Sequence, residues 1–171
     1  MTIKLIPKQV LVALDMNSLD EASSLISLLD KDLFRLKVGK QLFTSEGPAA
    51  VEKLIDKGFD VFLDLKLHDI PNTVSKALVN ISNMGVWMTN IHLTGGKEMI
   101  DESVSAIKTK GSKTILIGVS LLTSLDDNNL NEIGFINNSE DLVMNLAKMG
   151  NESKIDGVVC SCLLYTSDAA D

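Results

Sequence analysis

The chain has 171 residues, 45% hydrophobic and 23% charged, with a formal net charge of −7; this is the composition of one globular domain with a core of useful size. The negative balance argues against nucleic acid or an anionic membrane surface as partner, although a few local cations still suffice for a small phosphorylated ligand. No apolar run reaches the ~18 residues of a membrane span, and Met1 to Lys8 lacks the apolar stretch and cleavage site of a secretory signal, so a cytoplasmic location is expected.

In chain order, Val10 to Leu14 reads as a strand ending at Asp15, and Ser18 with Glu21 three residues later reads as a capping box opening a helix. Leu33 to Val38 is a second strand. Gly47-Pro48 starts the next helix and Gly58 stops it. Val61 to Leu65 is a third strand. A helix follows over Thr73 to Met84, with Val74, Ala77, Leu78 and Ile81 at helical spacing and Gly85 as its stop. Val86 to Ile91 is a fourth strand, Gly96 to about Lys108 a helix, and Thr114 to Val119 a fifth strand. Asp126 to Asn129 reads as a polar loop, Ser139 to Met149 as a helix stopped by Gly150, and Ile155 to Cys160 as a sixth strand. Met144 and Met149 read as core fillers. Cys160 and Cys162 are the only cysteines; they form neither a disulfide framework nor a zinc ligand set.

Six strand–helix repeats without a switch point predict parallel strands with right-handed crossovers. The strand faces decide between a doubly wound sheet and a barrel. Leu36 and Val38 oppose Arg35 and Lys37, and Val61, Leu63 and Leu65 oppose Phe62, Asp64 and Lys66. One face is aliphatic, and the other turns charged near the C-terminal end, as a barrel interior does at its mouth. The expected fold class is therefore α/β, a (β/α)8 TIM barrel. It is incomplete, because such barrels run to roughly 250 residues and eight strands. The tail from Leu163 to Asp171 carries no strand signal and reads like a translated sequencing adapter. The expected division is a partial barrel over residues 1–161 and an artefactual tail over 162–171.

Asp64-Leu65-Lys66-Leu67-His68-Asp69-Ile70-Pro71-Asn72-Thr73 is the most informative stretch, placing two carboxylates and an ammonium in six residues at the end of an apolar run. A Lys–Asp pair two apart is ordinarily a solvated surface pair, but Val61, Phe62, Leu63 and Leu65 put this one at the end of a buried strand. Asp15, Lys37, Asp64, Lys66, Asp69, His92 and Thr123 all fall at C-terminal strand ends, which converge on one mouth in a barrel. Alternating ammoniums and carboxylates hold one another ionised. Such an array suits decarboxylation without a cofactor. A fixed carboxylate beside the substrate carboxylate disfavours the bound substrate, and a fixed ammonium stabilises and then protonates the carbanion. His92 alone reads more readily as structural. Gly95-Gly96 reads equally as a phosphate-binding turn or a plain one.

The ten-residue stretch resembles the signature of the orotidine 5′-phosphate decarboxylase family in its bacterial form. Val12-Ala13-Leu14-Asp15, Leu36-Lys37-Val38-Gly39-Lys40, Gly85-Val86-Trp87-Met88, Ile91-His92, Leu122-Thr123-Ser124 and Asp156 to Ser161 resemble it in the same order. The resemblance implies conversion of orotidine 5′-phosphate to UMP and CO2 by a homodimeric barrel without metal or organic cofactor. It implies Lys66 as proton donor to C6 and Asp64 as the carboxylate set against the substrate carboxylate. Lys37 would hold Asp64 and the ribose, and Asp15 would bind a ribose hydroxyl. Asp69, Ile70 and Thr73 would serve the partner subunit's site, with Thr123 and Ser124 by the pyrimidine; His92 matches the pattern with its role open. The family's phosphate-binding loops follow the seventh and eighth strands, so this chain alone is expected to be inactive. The runner-up is a related magnesium-dependent sugar-phosphate barrel, a decarboxylase or aldolase, sharing Asp-x-Lys-x-x-Asp.

Overall fold

Period-two alternation and helical spacing resolve into six strands and seven helices among the residues that the computed structural model describes, 7–109, 111–136 and 138–159. Strand β1 (Val10–Ala13) leads to helix α1 (Leu19–Leu28), β2 (Phe34–Gly39), α2 (Lys40–Glu46) and α3 (Pro48–Asp56). Then come β3 (Val61–Leu67), α4 (Pro71–Asn83), β4 (Met88–His92), a 3-10 turn (Leu93–Gly95) and α5 (Lys97–Thr109). The chain continues through β5 (Ile115–Val119), α6 (Asp127–Glu132), α7 (Ser139–Glu152) and β6 (Gly157–Val159). The strands form one sheet in the order β1-β2-β3-β4-β5-β6. Pairing is parallel at β1–β2, β2–β3 and β5–β6, with Ala13 opposite Lys37 and Gly39 opposite Asp64. Sequential neighbours with a helical crossover between them are what the sequence led us to expect.

Local signals explain most boundaries. The Ser18 hydroxyl accepts the Glu21 N–H at 3.2 Å and caps α1. The Glu21 carboxylate reaches back to the Asn17 N–H at 3.0 Å, one residue before the position that a strict capping box uses. Pro48 starts α3 at its first turn.

Helix α2 follows Gly39, which offers no capping side chain, so no start signal marks it. Three expectations need correction. The polar stretch Asp126 to Asn129 is not a loop but the start of α6. The Asp126 carboxylate accepts the Asn129 N–H at 2.9 Å and the Asn129 amide oxygen accepts the Asp126 N–H at 3.1 Å, a reciprocal cap. Gly150 does not stop α7, which runs on to Glu152. Gly150 is there for space: a Cβ would come within 3.2 Å of Ile155 and 3.4 Å of Leu93. On the same helix Leu142, Val143 and Leu146 are buried and Met149 packs against the core, whereas Met144 is 58% exposed, not a core filler, because it falls on the opposite face.

The chain divides into two compact units, Met1–Leu65 with Val79–Thr89 and Ser112–Ile115, and Lys66–Leu78 with Asn90–Gly111 and Leu116–Asp171. In the first, the aliphatic faces of the early strands are sealed: Leu14, Leu36, Val38, Val61 and Leu63 have essentially no exposure. Val10 and Leu11 on β1 are partly exposed. In the second, Leu78, Ile91, Leu93, Met99, Ile100 and Leu130 anchor one hydrophobic cluster. Among the described residues no helix is long and apolar enough to cross a membrane. Cys160, Cys162 and the tail from residue 162 lie outside the described residues.

Candidate active site

The parallel ladder places the first group of charges. The Leu14 N–H donates to the Lys37 carbonyl at 2.9 Å, which extends the β1–β2 pairing to the edge of Asp15. The register sets Lys37 opposite Ala13 and Phe62, two residues short of Asp15 and Asp64. Its ammonium lies 3.2 Å from Asp15 Oδ1 and 3.7 Å from Asp64 Oδ2. Asp64 is 8% exposed, so its carboxylate has little access to water and depends on protein partners. Asp15 has a side chain 64% exposed and presents its free edge to solvent. Two carboxylates therefore share this ammonium, one buried and one open. Gly39 lies directly alongside: a Cβ there would stand 3.5 Å from Asp15 Oδ1 and 3.6 Å from Lys37 Nζ.

The second group follows in the chain and belongs to the second unit. Regular alternation, which would put the Lys66 side chain on the Asp64 face, ends at Leu65. Lys66 has φ +53°, a left-handed conformation inside a strand. For a residue with a Cβ this costs about 1–2 kcal/mol, so the surroundings must enforce it. The amide oxygen of Asn90 on β4 accepts the Lys66 N–H at 2.8 Å. The next residues run out exposed. Asp69 Oδ1 accepts the Ile70 N–H at 2.6 Å, Ile70 is 66% exposed, and Thr73 donates its N–H to the Ile70 carbonyl in the first turn of α4.

His92, at the end of β4, packs its ring against His68, centroids 5.5 Å apart and tilted by 46°. Gly95 makes room for this pair, because a Cβ there would come within 3.2 Å of His68 and collide with Met99. Thr123 and Ser124 are the exposed corners of a turn after β5, closed by the Leu125 N–H on the Leu122 carbonyl at 3.0 Å. No group of three or more His, Cys, Asp or Glu side chains that could hold a metal ion occurs among the described residues.

Asp15, Lys37 and Asp64 are thus brought together as strand-end chemistry predicts. Lys66, Asp69, Ile70, Thr73, His92, Thr123 and Ser124 lie on the second unit, at or just beyond the ends of β3, β4 and β5. Asn90 and Gly39 were not singled out from the sequence. Asn90 carried a signal, since it is a polar residue in mid-strand between Met88 and Ile91; Gly39 carried none.

The sequence model of the orotidine 5′-phosphate decarboxylase / HUMPS family matches residues 8–170. An orotidine 5′-phosphate decarboxylase of Teredinibacter turnerae is 48% identical over 155 residues, covering 91% of this chain and 67% of that protein. One from Pseudoalteromonas translucida is also 48% identical over 155 residues, covering 90% of this chain and 66% of that protein. The chain therefore spans about two thirds of the length of the curated relatives it matches. The crystal structure of orotidine 5′-phosphate decarboxylase from Lactobacillus acidophilus superposes with a TM-score of 0.85 at 35% identity, covering 96% of this chain and 77% of that one. The strand order, the charged strand ends and these matches converge on the barrel class expected from the strand faces. This chain belongs to the orotidine 5′-phosphate decarboxylase / HUMPS family.

Proposed function

We propose that the chain carries the decarboxylation centre of a homodimeric, cytoplasmic orotidine 5′-phosphate decarboxylase, forming UMP and CO2 in pyrimidine biosynthesis without a cofactor. The observation that carries this reading is the buried Asp64 carboxylate held 3.7 Å from Lys37, two residues before the chain turns left-handed at Lys66. A substrate carboxylate brought beside Asp64 is repelled, and the repulsion disappears when CO2 leaves. The C6–carboxylate bond breaks and its electron pair stays on C6. The Lys66 ammonium stabilises that charge and donates a proton to C6, and the resulting amine recovers a proton from solvent. Lys37 and the open Asp15 bind ribose hydroxyls. Asp69 and Ile70, exposed between β3 and α4, and Thr73, in the first turn of α4, reach the partner subunit's site, while Thr123 and Ser124 border the pyrimidine. His92 acts through its packing on His68. The decarboxylase barrel occupies residues 1–161, and residues 162–171 are a tail foreign to it.

Formation of UMP from orotidine 5′-phosphate by the protein expressed from its source gene tests the reading. Turnover should persist and Lys66→Ala should reduce it by at least ~10³-fold, the upper range of a proton donor that also stabilises charge. No UMP would sink the proposal. The family model also embraces the HUMPS branch, which favours as second reading a magnesium-dependent sugar-phosphate lyase. Unchanged turnover in chelator supports the first reading, and loss of turnover supports the second.

A further inference from the structure

Three non-glycine residues among those described have positive φ: Lys8, Lys66 and Lys154. Lys8 and Lys154 sit in turns, and Lys66 alone sits in a strand. With the backbone left-handed there, the half-buried Lys66 N–H still needs an acceptor. It finds the Asn90 Oδ1 at 2.8 Å. Asn90 is 1% exposed and comes from the middle of β4 between buried neighbours, so its amide has little freedom to wander. Two residues on along both strands, His68 packs on His92, with Gly95 cut back to make room. The segment that carries Lys66 is thus gripped by β4 at two successive points.

We propose that Asn90 is a positioning residue: its side-chain oxygen locks the Lys66 backbone in the left-handed conformation and so fixes where the Lys66 ammonium is presented. This rests on the assignment of Lys66 as proton donor, but the clamp itself can be read without turnover. A left-handed lysine inside a strand is strained and persists only where its surroundings over-determine it. Without the acceptor, Lys66 relaxes toward extended backbone, and period-two geometry then carries its side chain to a different direction. A displacement on the order of 1 Å at a reacting group costs about 10²-fold in rate.

Three variants test this. Asn90→Leu keeps the volume and removes the acceptor; Asn90→Asp keeps both shape and acceptor; Asn90→Ala removes everything. In the 171-residue chain, amide hydrogen exchange at Lys66 should speed up about tenfold or more in Asn90→Leu, as expected for one lost buried hydrogen bond. The Lys66 Cα chemical shift should move from left-handed to extended, with Leu63 and Ile91 protection unchanged. Asn90→Asp should keep both signatures. In the protein expressed from its source gene, Asn90→Ala should lower kcat about 10²-fold with KM nearly unchanged. The same change placed in Lys66→Ala should lower the residual rate no further. Unaltered Lys66 exchange in Asn90→Leu overturns the clamp, as do losses that multiply in the double variant. If the exchange result holds while no UMP forms from the wild type, the clamp stands and the proton-donor assignment fails.

Discussion

Strand β2 carries two cations on one face, Arg35 near its start and Lys37 two residues later, and their surroundings differ in kind. Around Arg35 every strong group is matched. The Asp60 carboxylate takes Lys8 at 2.9 Å and Arg35 at 3.2 Å. The guanidinium also donates to the Lys8 carbonyl and lies 3.8 Å over the Trp87 ring. Two cations share one carboxylate, and an aromatic face covers what remains. Around Lys37 the ratio is inverted: two carboxylates share one ammonium, at longer range, and one of them faces solvent. The first cluster is closed and has nothing left to offer a ligand. The second leaves the Asp15 carboxylate, 64% exposed, open to a ligand. In barrels of this kind the N-terminal end of the strands serves stability and the C-terminal end serves chemistry, and here the contrast is drawn within three residues of one strand.

The largest expected effect comes from Asp64→Asn. The amide keeps the shape and removes the charge that opposes the substrate carboxylate. Decarboxylation should fall by about 10²–10³-fold, the range for loss of one preorganised electrostatic group. The fold should persist, because the amide keeps the shape and Asp15 still neutralises Lys37. A variant that kept its rate and lost its stability would erase the distinction between the two clusters.

How much of this was legible beforehand follows the range of the interactions involved. The strands were readable because Leu36–Val38 and Val61–Leu65 alternate with charges, and alternation is a local property. Ser18 and Pro48 marked helix starts through local backbone chemistry. Helix α2 was hidden because Gly39 caps it without a side chain. Helix α6 was hidden because Asp126 and Asn129 cap a helix with the same residues that usually make turns. Gly150 misled because its reason is the proximity of Leu93 and Ile155, and nothing in the local sequence reports that. At the site, Asp15, Lys37 and Asp64 could be grouped because strand ends in a parallel sheet fall on one side. The left-handed Lys66 could not be foreseen, since it depends on Asn90, 24 residues away.

Asp60→Asn should do the reverse of Asp64→Asn. Removing its charge leaves Lys8 and Arg35 facing each other without a counter-ion. Hydrogen bonds to charged groups contribute about 1.5–3 kcal/mol each, but the partial exposure of this cluster reduces that, and a loss of about 1–2 kcal/mol is expected. Equilibrium denaturation measures it, and kcat should be unchanged. Its pH dependence sharpens the point further. Burial alone would raise the Asp60 pKa, but the hydrogen bonds and charges of Lys8 and Arg35 outweigh it and hold the carboxyl below its ordinary 3.8. A carboxyl depressed on folding contributes its stability above the unfolded pKa and loses it as pH falls through the folded one. The stability gap between wild type and Asp60→Asn should therefore be full at neutral pH, begin to close below about 3.8, and vanish in stronger acid. A gap that stayed constant into acid would mean that Asp60 acts through packing and not through charge.

The smallest effect is expected from Arg35→Lys, and it asks what the closed cluster is closed by. Lysine keeps the charge that Asp60 needs. It lacks the planar fork that reaches Asp60 and the Lys8 carbonyl together, and it lacks the flat face that covers Trp87. If the carboxylate dominates, the loss should be only about 0.5–1 kcal/mol, the worth of a partly exposed cation–π contact. A cycle with Trp87→Leu separates the parts, because Arg35→Lys in that background should then cost less than it does beside the ring. Equal costs in both backgrounds would assign the whole effect to the fork. A cost as large as that of Asp60→Asn would show that charge balance is not what seals this end of β2, and the contrast with Lys37 would then rest on geometry rather than on the ratio of charges.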